Sequence, residues 1–227
     1  MKQMKRFFFL VLAISGTIYM TSCRHEDQIL SSNGPAIERG TQVLNLPTDT
    51  KLTFEKSHSN VMWETPYMGA LATLTGRFDT FGVTKFNFDE ANPANTNFDC
   101  WVWLNRVNTS EPGRDKGCLQ TTFGVNTSMT TETANVAKFT STKVELSTTD
   151  KGYIVTGNLT FHGVTKEITG KLMYLGKVTT GSGATTKYKY GVSFTFQFLA
   201  ITDFALATTN IADQVTIRCD ATFTQLP

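Results

Sequence analysis

The 227-residue chain carries little that could do covalent chemistry. Its three histidines, His25, His58 and His162, are scattered, and no Cys-x-x-Cys or His-x-x-x-His spacing gathers ligands for zinc. There is no Gly-x-Ser-x-Gly turn to present a nucleophile and no glycine-rich phosphate loop. No pair of carboxylates stands in a recognisable acid–base arrangement. Metal ligation, a cofactor and enzymatic activity are therefore not expected. An excess of one charge is also missing: 21 Lys and Arg face 19 Asp and Glu, which offers nucleic acid no basic surface. Beyond residue 22 no apolar run approaches the ~20 residues that cross a bilayer, and helical periodicity is scarce.

What is present begins at the N-terminus. Lys2, Lys5 and Arg6 precede an unbroken apolar run over 7–14, and small and polar residues then lead to Met20-Thr21-Ser22-Cys23. A basic start, a short apolar segment and a small-residue cleavage site form a secretory signal. A cysteine directly after small residues marks a bacterial lipoprotein. Residues 1–22 are thus expected as a leader and Cys23 as the lipidated first residue, with ordinary cleavage and a plain Cys23 thiol as the alternative. Each buried acyl methylene contributes roughly 0.8 kcal/mol, so several chains would hold the protein on a membrane of the bacterial envelope. An outer-membrane position, facing periplasm or surface, fits this reading. Residues 23–50 are polar, contain Ser31-Ser32-Asn33-Gly34-Pro35, and read as a tether. Loss of the three leader cations leaves 18 basic against 19 acidic residues. Export permits disulfides. Of Cys100, Cys118 and Cys219 the expected bridge is Cys100–Cys118, although the cysteine count leaves the pairing open.

From residue 51 onward the period is two. Tyr188, Tyr190, Val192, Phe194, Phe196 and Phe198 share one face, against Lys189, Gly191, Ser193, Thr195 and Gln197. Val215, Ile217, Cys219, Ala221 and Phe223 alternate with polar neighbours, and Tyr153, Val155, Leu159 and Phe161 repeat the rule. Successive strand side chains point to opposite faces, so these are half-buried antiparallel strands. Further strands are expected near 51–56, 59–64, 70–79, 83–88, 98–107, 138–147 and 166–174. Turn signals fall at Asp150-Lys151-Gly152, His162-Gly163 and Gly181-Ser182-Gly183. One short helix is expected after Arg114-Asp115 and another turn at 131–134. Residues 51–227 therefore predict one all-β domain. It is a single antiparallel β-barrel of about eight strands with one or two short helices, closed because strands this long would otherwise expose sheet edges.

The order of motifs carries a resemblance. His58-Ser59-Asn60-Val61-Met62-Trp63 precedes Thr75-Gly76-Arg77-Phe78, followed by Arg114-Asp115-Lys116-Gly117-Cys118-Leu119 and Ala137-Lys138-Phe139-Thr140-Ser141. Gly157-Asn158-Leu159-Thr160 then leads to Gly163-Val164-Thr165-Lys166, and Ile201-Thr202-Asp203-Phe204 comes near the end. Over about 51–226 the chain resembles the YceI-like family, lipocalin-like bacterial proteins associated with polyisoprenoid and other lipids. Gly117-Cys118 stands where that family usually carries His-Leu, which puts a head-group contact in doubt.

The resemblance implies a barrel with an elongated apolar cavity. Its candidate ligand-binding residues are Trp63, Phe78, Val102, Leu104, Phe139, Phe161, Phe194, Phe196 and Ile217. Arg114 is a candidate for an anionic group at the barrel mouth, where a guanidinium fork suits phosphate or carboxylate. The alternative is an Arg–Asp loop clamp with Asp115 capping amides. Trp101 and Trp103 alternate with Cys100, Val102 and Leu104, so the second face of that strand must meet a helix, the tether, lipid or a second subunit in a homodimer. The expected function is an exported lipoprotein that binds an isoprenoid or fatty-acyl chain for storage, shielding or transfer. The alternative is a surface scaffold whose barrel is filled by its own side chains.

Overall fold

The computed structural model of the protein describes residues 52–69, 71–88, 92–116, 123, 135–149, 152–207 and 211–225. The expected leader, Cys23, the tether, Cys118 with the Gly117-Cys118 departure, and the turn at 131–134 lie outside these residues. The described strands are β1 (Thr53–Tyr67), β2 (Ala72–Phe78), β3 (Phe81–Asn87), β4 (Asn97–Trp103), β5 (Val107–Asn108), β6 (Val136–Leu146), β7 (Tyr153–Phe161), β8 (Val164–Thr180), β9 (Lys187–Leu199) and β10 (Gln214–Gln225). All pairings are antiparallel, in the order β3-β4-β6-β7-β8-β9-β10-β1-β2-β5.

The two ends of this ladder belong to the same pair of chain segments. β2 pairs with β5 through Phe78↔Val107, and β3 pairs with β4 through Phe81↔Val102. Between them the chain bends at Asp79-Thr80 on one side and at a 3-10 turn, Leu104–Arg106, on the other. Two backbone bonds bridge the bend, Asp79 N to Arg106 O at 2.8 Å and Trp103 N to Thr80 O at 2.9 Å. Counting β2–β3 and β4–β5 as single kinked strands gives eight, and the ladder returns on itself. Closure runs through the two short pairings at the kink, since β3 pairs with β4 alone and β5 with β2 alone among the described residues.

Two strand expectations change. The segments expected at 51–56 and 59–64 are one strand, β1, interrupted by a register shift between Glu55 and Asn60. There the Ser59 hydroxyl donates to Glu55 O at 2.7 Å and accepts from Thr222 N at 3.0 Å, so a side chain takes over a missing rung. Helical backbone begins ahead of Arg114-Asp115, as α1 (Pro112–Arg114), and continues through 116, while residues 117–122, where the expected helix would follow, lie outside the described ones. Pro112 pre-sets the first helical position, and the Glu111 carboxylate accepts from the amides of Gly113 and Arg114.

The interior is aromatic and divides in two. Toward the β8–β9 turn it is filled: Phe86 stacks on Phe223 at 4.1 Å, and Phe88 meets Tyr153 edge-on at 5.2 Å. Large rings fit because glycines lie beneath them. A Cβ on Gly170 would come within 2.6 Å of the Phe194 ring and 2.8 Å of Thr195 O, and one on Gly76 within 2.6 Å of the Trp63 indole. Toward the β1–β2, β7–β8 and β9–β10 turns the packing leaves a void.

Candidate functional site

A cavity of about 70 Å³ occupies that half of the barrel. Alternation builds its wall: Val61, Trp63 and Thr65 come from β1, Val215, Ile217 and Cys219 from β10, and Phe196 and Phe198 from β9. Eight of the ten residues expected to meet a ligand share this wall: Trp63, Phe78, Val102, Leu104, Phe139, Phe161, Phe196 and Ile217. Phe194 does not. It packs deeper, 5.2 Å from Phe98 and 5.0 Å from Phe139, as a filler of the core. Arg114 is also absent from the wall and ends α1 half-buried. Its neighbour Asp115 is the clamp: its Oδ1 accepts from Thr109 N at 2.8 Å and from the Thr109 hydroxyl at 2.5 Å.

Sequence reasoning missed two kinds of wall residue. Val61, Thr65, Leu159, Phe198 and Cys219 lie two positions from chosen residues, so the period of two could have found them. Phe123 and Ile211 belong to connections without periodicity. Both are buried, and Phe123 meets Phe161 edge-on at 5.8 Å.

The wall is nearly without polar function. The Thr65 hydroxyl is spent on Gln214 O at 2.9 Å. The Trp63 indole N–H is buried, lies against Gly76 and has no hydrogen-bond partner. Cys100 and Cys219 both face the cavity as free thiols, so the bridge expected from Cys100 to Cys118 is not formed. Burial, with a smaller push from the Asp99 carboxylate, raises the Cys100 thiol to about 12. Burial likewise raises Cys219 well above its ordinary value, with Cys100 and Asp220 adding. Such thiols stay neutral and behave as small apolar groups. Among the described residues no group of three or more His, Cys, Asp or Glu could hold a metal ion. The chemistry available to the cavity is apolar contact.

Trp101 and Trp103 are half-buried on β4, with ring centroids 6.3 Å apart, and Trp101 also borders the cavity. Trp101 folds over its cross-strand neighbour Gly82, so the strand itself covers part of the ring. Elsewhere on the outer wall a groove of about 590 Å³ runs between Arg77 and Arg218, which flank Met62 on the neighbouring strands. Each arginine is engaged two residues along its own strand, Arg77 with Asp79 at 3.2 Å and Arg218 with Asp220 at 3.1 Å. That groove is open and charge-balanced, and the cavity is the better candidate site.

Comparison with known proteins agrees with this arrangement. The model of the YceI-like domain matches residues 52–223. A UPF0312 protein of Yersinia enterocolitica is 34% identical over 122 residues, covering 52% of this chain and 57% of that protein. The chain thus spans less than two thirds of the length of the curated relatives it matches. Among solved structures, BcnA of Burkholderia cenocepacia superposes with a TM-score of 0.56 at 18% identity, over 74% of this chain and 98% of that one. A polyisoprenoid-binding domain of Saccharophagus degradans gives 0.51 at 19% identity, over 78% and 99%. At these identities the structural matches establish the fold alone.

Proposed function

The chain belongs to the YceI-like domain family, and from that premise we propose that it binds a hydrophobic chain, isoprenoid or fatty-acyl, inside its barrel for storage, shielding or transfer. The observation that carries this is the cavity, an unfilled space walled by aromatic and aliphatic side chains. The polyisoprenoid-binding neighbour supports the ligand class. The mechanism is reversible partition out of water, without a covalent step. Export, and anchoring on an envelope membrane through a lipid on Cys23, belong to the same reading, with the leader's basic, apolar and small-residue pattern in support.

Magnitude limits how the ligand binds. A water-sized group needs roughly 10–15 Å³, so the cavity holds roughly five such groups, or about one isoprene unit. At roughly 0.8 kcal/mol per buried methylene this yields about 4 kcal/mol before ordering costs. Micromolar affinity needs about 8 kcal/mol. A tightly held chain must therefore turn wall rings aside or extend past the cavity. Native mass spectrometry of the purified protein, followed by organic extraction, tests the reading. A lipid adduct that extracts into solvent is the expected result. A clean mass, together with no uptake of a fluorescent fatty acid, would leave a scaffold filled by its own side chains, the reading that the packed Phe86–Phe223 half favours.

A further inference from the structure

We propose that the turns at the cavity end of the barrel form a membrane-docking surface, led by Met68 and Leu71, through which ligand passes on contact with a lipid bilayer. The proposal rests on the ligand-binding reading above and adds where the ligand comes from. Met68 and Leu71, in the β1–β2 turn, are the most exposed large apolar side chains among the described residues, at 65% and 75%. The turn reads Tyr67-Met68-Gly69-Ala70-Leu71, with no polar side chain where turns ordinarily take Asn, Asp or Ser. Met68 sits at φ 45°, a left-handed conformation that Gly or Asn accepts far more readily than a long apolar residue. An exposed apolar side chain in a strained position is a poor choice for folding, and it signals a role outside the fold.

The surroundings identify the partner. No charged residue occurs between Glu64 and Arg77, and the β9–β10 connection carries only the two carboxylates Asp203 and Asp213. Asp213 itself is turned onto the amides of Ile201 and Thr202. These turns join the cavity directly: Ala212 N donates to Pro66 O at 2.9 Å, and the adjacent Thr65 and Ile211 stand in the cavity wall. Leu199, at the end of β9, adds a further exposed apolar group. Two protruding side chains on one turn cannot supply the ~800 Å² per partner of a stable protein interface. They suit insertion into the headgroup–acyl boundary, where charges are costly and an aromatic such as Tyr67 is at home. A ligand too oily to cross water would then enter the barrel from the bilayer itself.

Contact kinetics test this in the full chain carrying Cys23→Ala, which has no acyl anchor of its own. An anthroyloxy-stearic acid probe is loaded on the protein and transferred to phosphatidylethanolamine–phosphatidylglycerol vesicles. The expected transfer rate rises with vesicle concentration and falls roughly tenfold in Met68→Asn/Leu71→Asn, the loss of about two anchoring side chains. Probe affinity without vesicles should be unchanged, and Asn suits the left-handed turn, so the variant folds. A rate independent of vesicle concentration, or equal in the variant, overturns the proposal. If the protein takes up no probe, the ligand-binding reading fails separately. Docking is then decided by tryptophan fluorescence with brominated acyl chains. Leu71→Trp should be quenched and Ala184→Trp, in the opposite β8–β9 turn, should not. Equal quenching of the two, or none, also overturns it.

Discussion

Cys100 and Cys219 show how a residue's surroundings set its chemistry. Each lies on an inward strand position beside aromatic rings, so ionisation would place a charge where nothing solvates it. A thiol whose folded value is raised stabilises the fold below its unfolded value and ceases to do so as pH climbs through the folded one. For Cys100 the window runs from 9.0 up to about 12. Urea midpoints should fall across that range in the wild type and fall less in Cys100→Ala/Cys219→Ala. A pH profile identical in the two proteins would remove the thiols from the account. Arg114 has different surroundings: Pro112 and the Glu111 carboxylate determine where its turn forms, and Arg114 is not among the residues of the cavity wall.

At the scale of elements, the connections are held by carboxylates. Asp213, at the start of β10, accepts from Ile201 N at 2.7 Å, from Thr202 N at 3.0 Å and from the Thr202 hydroxyl. Burial is the largest single influence on its carboxyl and acts upward, but the three donors together outweigh it and hold the group below its usual range. At the other end of the barrel Lys189 donates to both oxygens of Glu55 at 2.9 Å and lowers that carboxyl, with His58 adding to the effect against burial. Depressed carboxyls stabilise above their unfolded values, near 4, and the contribution is lost as pH falls through the folded ones. Asp213→Asn should therefore destabilise the protein by about 1 kcal/mol at neutral pH. The loss should shrink below about pH 4. Amide exchange at Ile201 and Thr202 should rise with it. An unchanged neutral-pH midpoint would show that the loop is held by something else. The kink that splits β2–β3 and β4–β5 also belongs to this scale. The alternating pattern ran through 98–107 without a sign of the 3-10 turn at Leu104–Arg106, because Leu104 remains inward and apolar either way.

For the whole molecule, the balance between rings and void decides function. Phe196 faces the void and Phe194 does not. Truncating either buried ring should cost about 3–5 kcal/mol of stability. Only Phe196→Ala should also deepen the pocket and shift preference toward longer chains in a fatty-acid length series. Equal ligand effects from Phe194→Ala and Phe196→Ala would mean that the cavity does not select the ligand. Alternation along each strand was sufficient, by itself, to determine the all-β class and the inward face, because side-chain direction in a strand depends only on parity, whereas the expectation that this face lines a cavity came from the family resemblance. Three features depended on the tertiary structure. The two kinks that bring ten strands to an eight-stranded closure arise from pairing between distant segments. The loop residues Phe123 and Ile211 reach the cavity through connections with no period. Whether inward aromatics leave space or fill it is a matter of three-dimensional packing: the same parity rule puts Phe223 in a stack and Ile217 beside a void.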